Sequence, residues 1–306
     1  MDNVVQMPNI NDPNDPFAKY NTPDSPLFFP VGERKVGWET RSGMYERTPS
    51  HKAIIRLSPR GDSAMLLDIV GGNYRLVHNR ELFYAVEQAM RDEMLPEHLK
   101  DVQVVDRVAG YGRVCLRQYV FPSIRCRLQN TRSDIGFRIV VQNGYGGSAL
   151  RIHAGAIDFF CTNGIVRGDY VSTYRKHTSG LVVGSLNRTV KDALHEFAAG
   201  QEEWQRWTKT PVRFEQTMKL FDTIAQSAKM REGLVDQYER EVDQRGPNLW
   251  AVYSTLTFYA SHADGAFSLR RTVEEQDTVA TTMLTRELNV AKWTRSDEWR
   301  AMEAAT

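Results

Sequence analysis

Cysteine is scarce in this chain of 306 residues: only Cys115, Cys126 and Cys161 occur. A small, odd number argues against a disulfide scaffold and for a reducing compartment. No two of them stand at metal-finger spacing, and the seven histidines form no His-x-x-x-His pair. No metal and no cofactor is therefore expected. No apolar run approaches the ~20 residues a membrane span requires, so no membrane partner is expected. The first residues have no basic start followed by an apolar stretch, which excludes a secretory signal and leaves a cytoplasmic protein as the expectation. Gly110-Tyr-Gly112 and Gly144-Tyr-Gly-Gly147 extend to neither a dinucleotide fingerprint nor a Walker sequence, and read as turns. There is no internal repeat and no heptad array.

Acidic residues are scarce in one region only. The net charge is +1. Residues 107–188, however, hold 12 Lys and Arg against 3 Asp and Glu, while the flanking thirds are each net −4. Such asymmetry carries the information about partners that a near-neutral total hides. Eleven of those 12 cations are arginine, whose planar fork of donors suits phosphate and whose face stacks on aromatic rings.

The apolar pattern predicts an α+β fold: an antiparallel twisted β-sheet with packed helices, a flexible N-terminal arm and a helical C-terminal third. Residues 1–30 contain five Asn, four Asp and six Pro, too little apolar surface to offset ordering. The arm is taken to extend to about residue 50, with 51–306 forming one core: a basic sheet region with one helix over 51–184, and helices packed on it from 185. Strands are predicted at Lys52–Leu57, Ala64–Val70, Tyr74–Val77, Val102–Val108, Arg113–Phe121, Ile124–Leu128, Phe137–Gln142, Leu150–His153 and Ala156–Thr162. Asn79 is placed as the cap of a helix from Arg80 to about Met94, stopped by Pro96. Helices follow from Leu186 past Trp204, from Pro211 with a stripe running to Ala228, from Gly246-Pro247 onward, and over Val273–Leu288. Glu232–Arg245 reads as a polar stretch.

Arginines and rings interleave along the middle third. Arg113, Arg117, Arg125, Arg127, Arg138 and Arg151 lie on or beside predicted strands, and Arg175, Lys176 and His177 follow in a cationic loop. Tyr111, Tyr119 and Tyr145 lie among them. A sheet offering cations to the backbone and rings to the bases is sufficient to hold single-stranded nucleic acid. Alternation puts Arg113, Arg117, Tyr119 and Phe121 on one face. These 12 residues are the expected nucleic-acid site, on a non-catalytic protein that works as a homo-oligomer. A solvated face whose arginines pair with acidic helices is the bland alternative. A second class makes the chain a thiol enzyme with Cys161 activated by His177; against it, Cys161 ends an apolar strand. A third class uses the sheet to bind another protein, in a structural or regulatory role.

Thr48-Pro-Ser-His-Lys-Ala-Ile-Ile-Arg56, Tyr74-Arg-Leu-Val-His-Asn79, Cys161-Thr-Asn-Gly164 with Arg175-Lys-His-Thr178, and Asn248-Leu-Trp250 to Thr257 together resemble the phage/plasmid-like family, a group of unknown function. The resemblance spans roughly residues 45–265. It implies a mobile-element setting in a bacterial host, and an architecture similar to the single-strand annealing recombinases, which combine a basic β-sheet with packed helices. It supplies no catalytic residues.

Overall fold

A computed structural model describes residues 12, 14–58, 63–129, 131–146, 150–158, 163–165, 172–175, 183–266 and 285–304. The fold is α+β with antiparallel sheets and a helical C-terminal part. Strands β1 (Val31–Glu39), β2 (Tyr45–Leu57) and β3 (Ala64–Gly71) form a three-stranded sheet in that order. β4 (Gln103–Ala109), β5 (Val114–Arg127), β6 (Asp134–Gly144), β7 (Leu150–Asp158) and β8 (Asn163–Ile165) follow one another across a six-stranded sheet, with β9 (Ser172–Arg175) paired to β7. The helices are α1 (Asn79–Glu93), α2 (Pro96–Leu99), α3 (Val183–Trp207), α4 (Phe214–Ile224), α5 (Ala228–Arg245), α6 (Leu249–Ala266), α7 (285–293) and α8 (Asp297–Glu303).

The chain divides into two compact units rather than the single core expected. One comprises Met1–Tyr119, Val140–His153 and Ser172–Val190; the other comprises Val120–Ile139, Ala154–Val171 and Lys191–Thr306.

In the first unit, α1 is buried nearly all round, with Leu82, Phe83, Tyr84, Ala85, Val86, Ala89 and Met90 inside. It ends where predicted, with Met94 extended and Pro96 at the first turn of α2. Its start differs: His78 holds the capping position, and the Tyr145 hydroxyl accepts from the Asn79 backbone N–H at 2.9 Å. The Asn79 side chain instead donates to the Leu27 carbonyl at 2.7 Å. Tyr74–Val77, predicted as a strand, is irregular.

The larger correction concerns the N-terminal arm. Val31–Glu39 is a strand paired with β2, and residues from Asp15 to Phe29 make contacts with other elements. Phe17 and Leu27 are fully buried. Phe17 meets Tyr119 edge-on with ring centres 5.8 Å apart, and Phe28 packs on Phe83 and Tyr84. Described polar residues of this segment make hydrogen bonds to the elements that follow. Asp15 takes Arg91 through both oxygens, the Tyr20 hydroxyl donates to the Val102 carbonyl, and the Ser25 hydroxyl donates to Asp106.

Arg117 is the centre of this docking and is 0% exposed. All five of its N–H groups are used. Nε and Nη2 bind the two Asp106 oxygens at 2.7 and 2.8 Å, Nη1 binds Asn21 Oδ1 at 2.6 Å and Glu87 Oε1 at 3.0 Å, and Nη2 also reaches the Tyr20 carbonyl at 2.9 Å. The rings of Phe28 and Phe83 lie 5.1 and 5.2 Å from its guanidinium carbon. Glu87 also accepts from the Tyr119 hydroxyl at 2.9 Å and from Asn21.

In the second unit, rings form two runs. Phe121, Phe137, Phe197 and Trp204 contact in sequence, and Trp207, Trp250, Tyr253 and Trp299 make a tighter cluster. Buried Arg138 pairs with Glu287 at 2.6 Å. Arg245, also buried, pairs with Glu241 and Asp158 and donates to the Ser133 hydroxyl. The helix expected to run from Pro211 to Ala228 is broken. α4 ends at Ile224, and Ser227 caps α5 by accepting from the Met230 N–H. The polar stretch is this helix: Leu234, Tyr238 and Glu241 are buried along it. The expected Val273–Leu288 helix falls largely outside the described residues.

Removing one partner from a buried, fully bonded ion network leaves the others uncompensated. Arg117→Leu should therefore cost about 3–5 kcal/mol in urea unfolding, whereas Arg113→Leu, on an exposed pair, should cost less than about 1 kcal/mol. Burial pushes the Glu87 carboxyl above its ordinary range, against the pull of Arg117. A carboxyl raised on folding contributes stability below its unfolded value and loses that contribution as pH rises through the raised value. Glu87→Gln, which has no proton to lose, should thus gain stability relative to the wild type as pH is raised above the ordinary carboxylate range.

Candidate nucleic-acid interface

The strand alternation that suggested a binding face puts Arg117 and Tyr119 inside. Tyr119 is fully buried, and burial holds its hydroxyl proton well above the ordinary tyrosine range. Arg138 and Tyr145 are also buried, the first on Glu287 and the second under Phe29 with its hydroxyl at the start of α1. These four have no surface to offer a ligand. β5 is covered on both sides from Val114 to Phe121, so period-two alternation along it does not separate a wet face from a dry one.

The remaining residues divide by compensation. Arg113 and Arg125 are exposed, and each lies 3.3 Å from a carboxylate, Asp68 and Asp134 respectively. Arg127 is exposed, and Arg151 is half-buried. Arg175 is in register with Leu150 at the end of β9; its side chain, Lys176 and His177 lie outside the described residues, as does Cys161. Tyr111 is exposed at 66% and has a left-handed backbone, φ 58°, between two positive-φ glycines. Its carbonyl accepts from Arg56 at 2.8 Å. Burial pushes the Cys115 thiol up to about 12 and raises that of Cys126, so neither is an activated thiolate. Among the described residues no group of three His, Cys, Asp or Glu side chains is arranged to hold a metal ion. Among the same residues no helix is long and apolar enough to cross a membrane.

A concentration of cations stands elsewhere, in the β1–β2 hairpin. A cavity of about 550 Å³ is lined by Glu33, Arg34, Lys35, Arg47, Thr48, Pro49, His51, Lys52 and Gly72. Lys52 pairs with Glu33 at 2.8 Å. Among the described residues, no carboxylate pairs with Arg34, Lys35 or Arg47.

The cavity owes its shape to a bulge. Lys35 is opposite Lys52, and its neighbour Val36 is opposite Thr48, so Pro49, Ser50 and His51 are extra residues on β2. Proline tolerates such a place because its missing N–H breaks no ladder bond there. Gly72 closes over the bulge: its N–H donates to the Ser50 carbonyl at 2.8 Å, and a Cβ there would sit 2.9 Å from the Pro49 carbonyl oxygen.

Beyond the bulge the hairpin stands with both faces half-exposed or exposed. Trp38 is 54% and Tyr45 56% accessible. Arg47 is opposite Gly37, and the Tyr45 ring lies over that glycine. Two residues apart on β2, Tyr45 and Arg47 share a face; Trp38, opposite Glu46, is on the other. Sequence reasoning missed this site because residues 1–106 are net acidic as a whole. The local signal is six Lys and Arg against three Glu over residues 31–57.

Gly72→Ala should push the bulge aside, because the new methyl meets backbone rather than a movable side chain. The expected loss is about 1–3 kcal/mol, read from the urea midpoint.

No curated protein and no solved structure matches the chain. One family model does match, over residues 66–286, and starts within β3, after the strands that carry the cavity. That match covers most of the sequence, and the chain belongs to the family described as a domain of unknown function, DUF932.

Proposed function

We propose that this protein binds single-stranded nucleic acid without catalysis, holding the backbone at the β1–β2 bulge and a base on Tyr45. The observation that carries the reading is the convergence of Arg34, Lys35 and Arg47 on one cavity whose single carboxylate, Glu33, is paired with Lys52. A cation already paired inside the protein gains little from a phosphate, because it must give up its partner. An unpaired one exchanges only water and counterions. Tyr45 on the same face as Arg47 adds the second element of single-strand recognition, a ring that stacks on any base.

The sequence resemblance adds the finer part of the reading: a mobile-element protein that anneals complementary DNA strands as a homo-oligomer. Annealing is downhill once repulsion between strands is screened, so it requires neither metal nor nucleotide. Arg127 and Tyr111 remain accessible as auxiliary contacts.

Fluorescence anisotropy with single-stranded DNA across a salt series tests the proposal. Arg47→Ala and Lys35→Ala should each weaken binding to every sequence and flatten the salt slope by about 0.7. Tyr45→Ala should cost about 1–3 kcal/mol and leave the slope unchanged. Arg125→Ala, on the compensated pair, should behave as the wild type. Absence of wild-type binding at low salt, or loss of binding in Arg125→Ala but not in Arg47→Ala, would refute the proposal.

A further inference from the structure

A strand held along its length requires a track of separated cations, whereas the bulge gathers its cations at one place. The cavity lining carries Arg34, Lys35, Arg47 and Lys52 against the single carboxylate of Glu33. Three positive charges therefore stand uncompensated around about 550 Å³, a volume in the range of small-ligand sites. An internal phosphodiester brings one negative charge. A terminal phosphate monoester brings nearly two, with three acceptor oxygens.

The bulge also brings the Thr48 hydroxyl and the His51 ring to the cavity lining. Thr48 Oγ1 lies 2.7 Å from Ser50 Oγ, which lies 2.9 Å from His51 Nδ1. Of these three, Thr48 and His51 line the cavity. Bulges re-aim side chains that a regular strand would point alternately up and down. Here the three extra residues bring His51 and Lys52, neighbours in sequence, to the lining of one cavity.

On the reading that the chain binds single strands, we infer that this cavity takes the terminal phosphate monoester of the strand. The protein then recognises an end, and Tyr45 stacks the base next to that end. Arg34, Lys35 and Arg47 hold the dianion. The Lys52–Glu33 pair fixes the wall beside it.

The experiment compares one oligonucleotide sequence in three forms: 5′-phosphorylated, 3′-phosphorylated and without a terminal phosphate. A nucleoside monophosphate serves as competitor. One phosphorylated form should bind about tenfold more tightly than the unphosphorylated strand, as expected for added charge-assisted hydrogen bonds. Arg47→Ala should remove that difference, and because the side chain is exposed the variant should keep the wild-type fold by circular dichroism. Lys35→Ala provides a second, independent readout of the same loss. Equal affinity for all three forms would overturn the end-recognition inference while leaving single-strand binding intact. Binding of the mononucleotide with no oligonucleotide bound would also overturn it, since the cavity would then be a site for a free nucleotide. Failure of every nucleic acid to bind would remove the inference together with the proposed function.

Discussion

Arg117 is a permanent charge held where no water reaches it, and much of the first unit is arranged to make that tolerable. A buried guanidinium is acceptable only when each of its donors has a partner. The partners come from three stretches far apart in sequence: Tyr20 and Asn21 before the first strand, Glu87 in α1, and Asp106 in β4. Satisfying this one side chain fixes where the N-terminal segment lies, which face of α1 turns inward and how β4 stands against β5. Phe28 and Phe83 close it off from solvent. The interaction specifies position more than it adds stability, since a well-packed apolar group of similar volume often serves as well energetically.

Two misreadings of the sequence have this single origin. Asn, Asp and Pro before residue 30 suggested a segment with nothing to bury, and Arg117 with Tyr119 suggested a face waiting for a ligand. Each is the other's partner. Composition counts polar residues but cannot show that Asn21 and Asp15 are matched to particular arginines, because that pairing is a fact of the tertiary fold. Local signals fared better. The α1 pattern, the Pro96 stop and the β4–β5 turn at Gly110-Tyr-Gly112 were legible because they depend on neighbours within a few residues. α5 was missed because only a narrow stripe of it is apolar, and its burial includes Gln237, Glu241 and Arg245.

The candidate site lies outside the segment that the sequence singled out. Counting charge over a third of the chain located the arginines but not their carboxylates. Arg113, Arg117, Arg125 and Arg138 all have acidic partners, and of the five carboxylates only Asp134 lies within the basic segment. The useful variable is compensation at contact distance. By that measure, among the described residues, the hairpin of β1 and β2 gathers three cations with no acidic partner around one cavity. The β2 bulge could not be read from sequence, because Pro49 and Ser50 fall in the stretch assigned to the arm.

The division into two units runs through elements of secondary structure. The boundary is crossed between Tyr119 and Val120, and again after Ile139, His153, Val171 and Val190. β5, β6, β7 and α3 each begin in one unit and end in the other. No single cut yields either unit with its own strands complete, so separating them would sever β5, β6, β7 and α3.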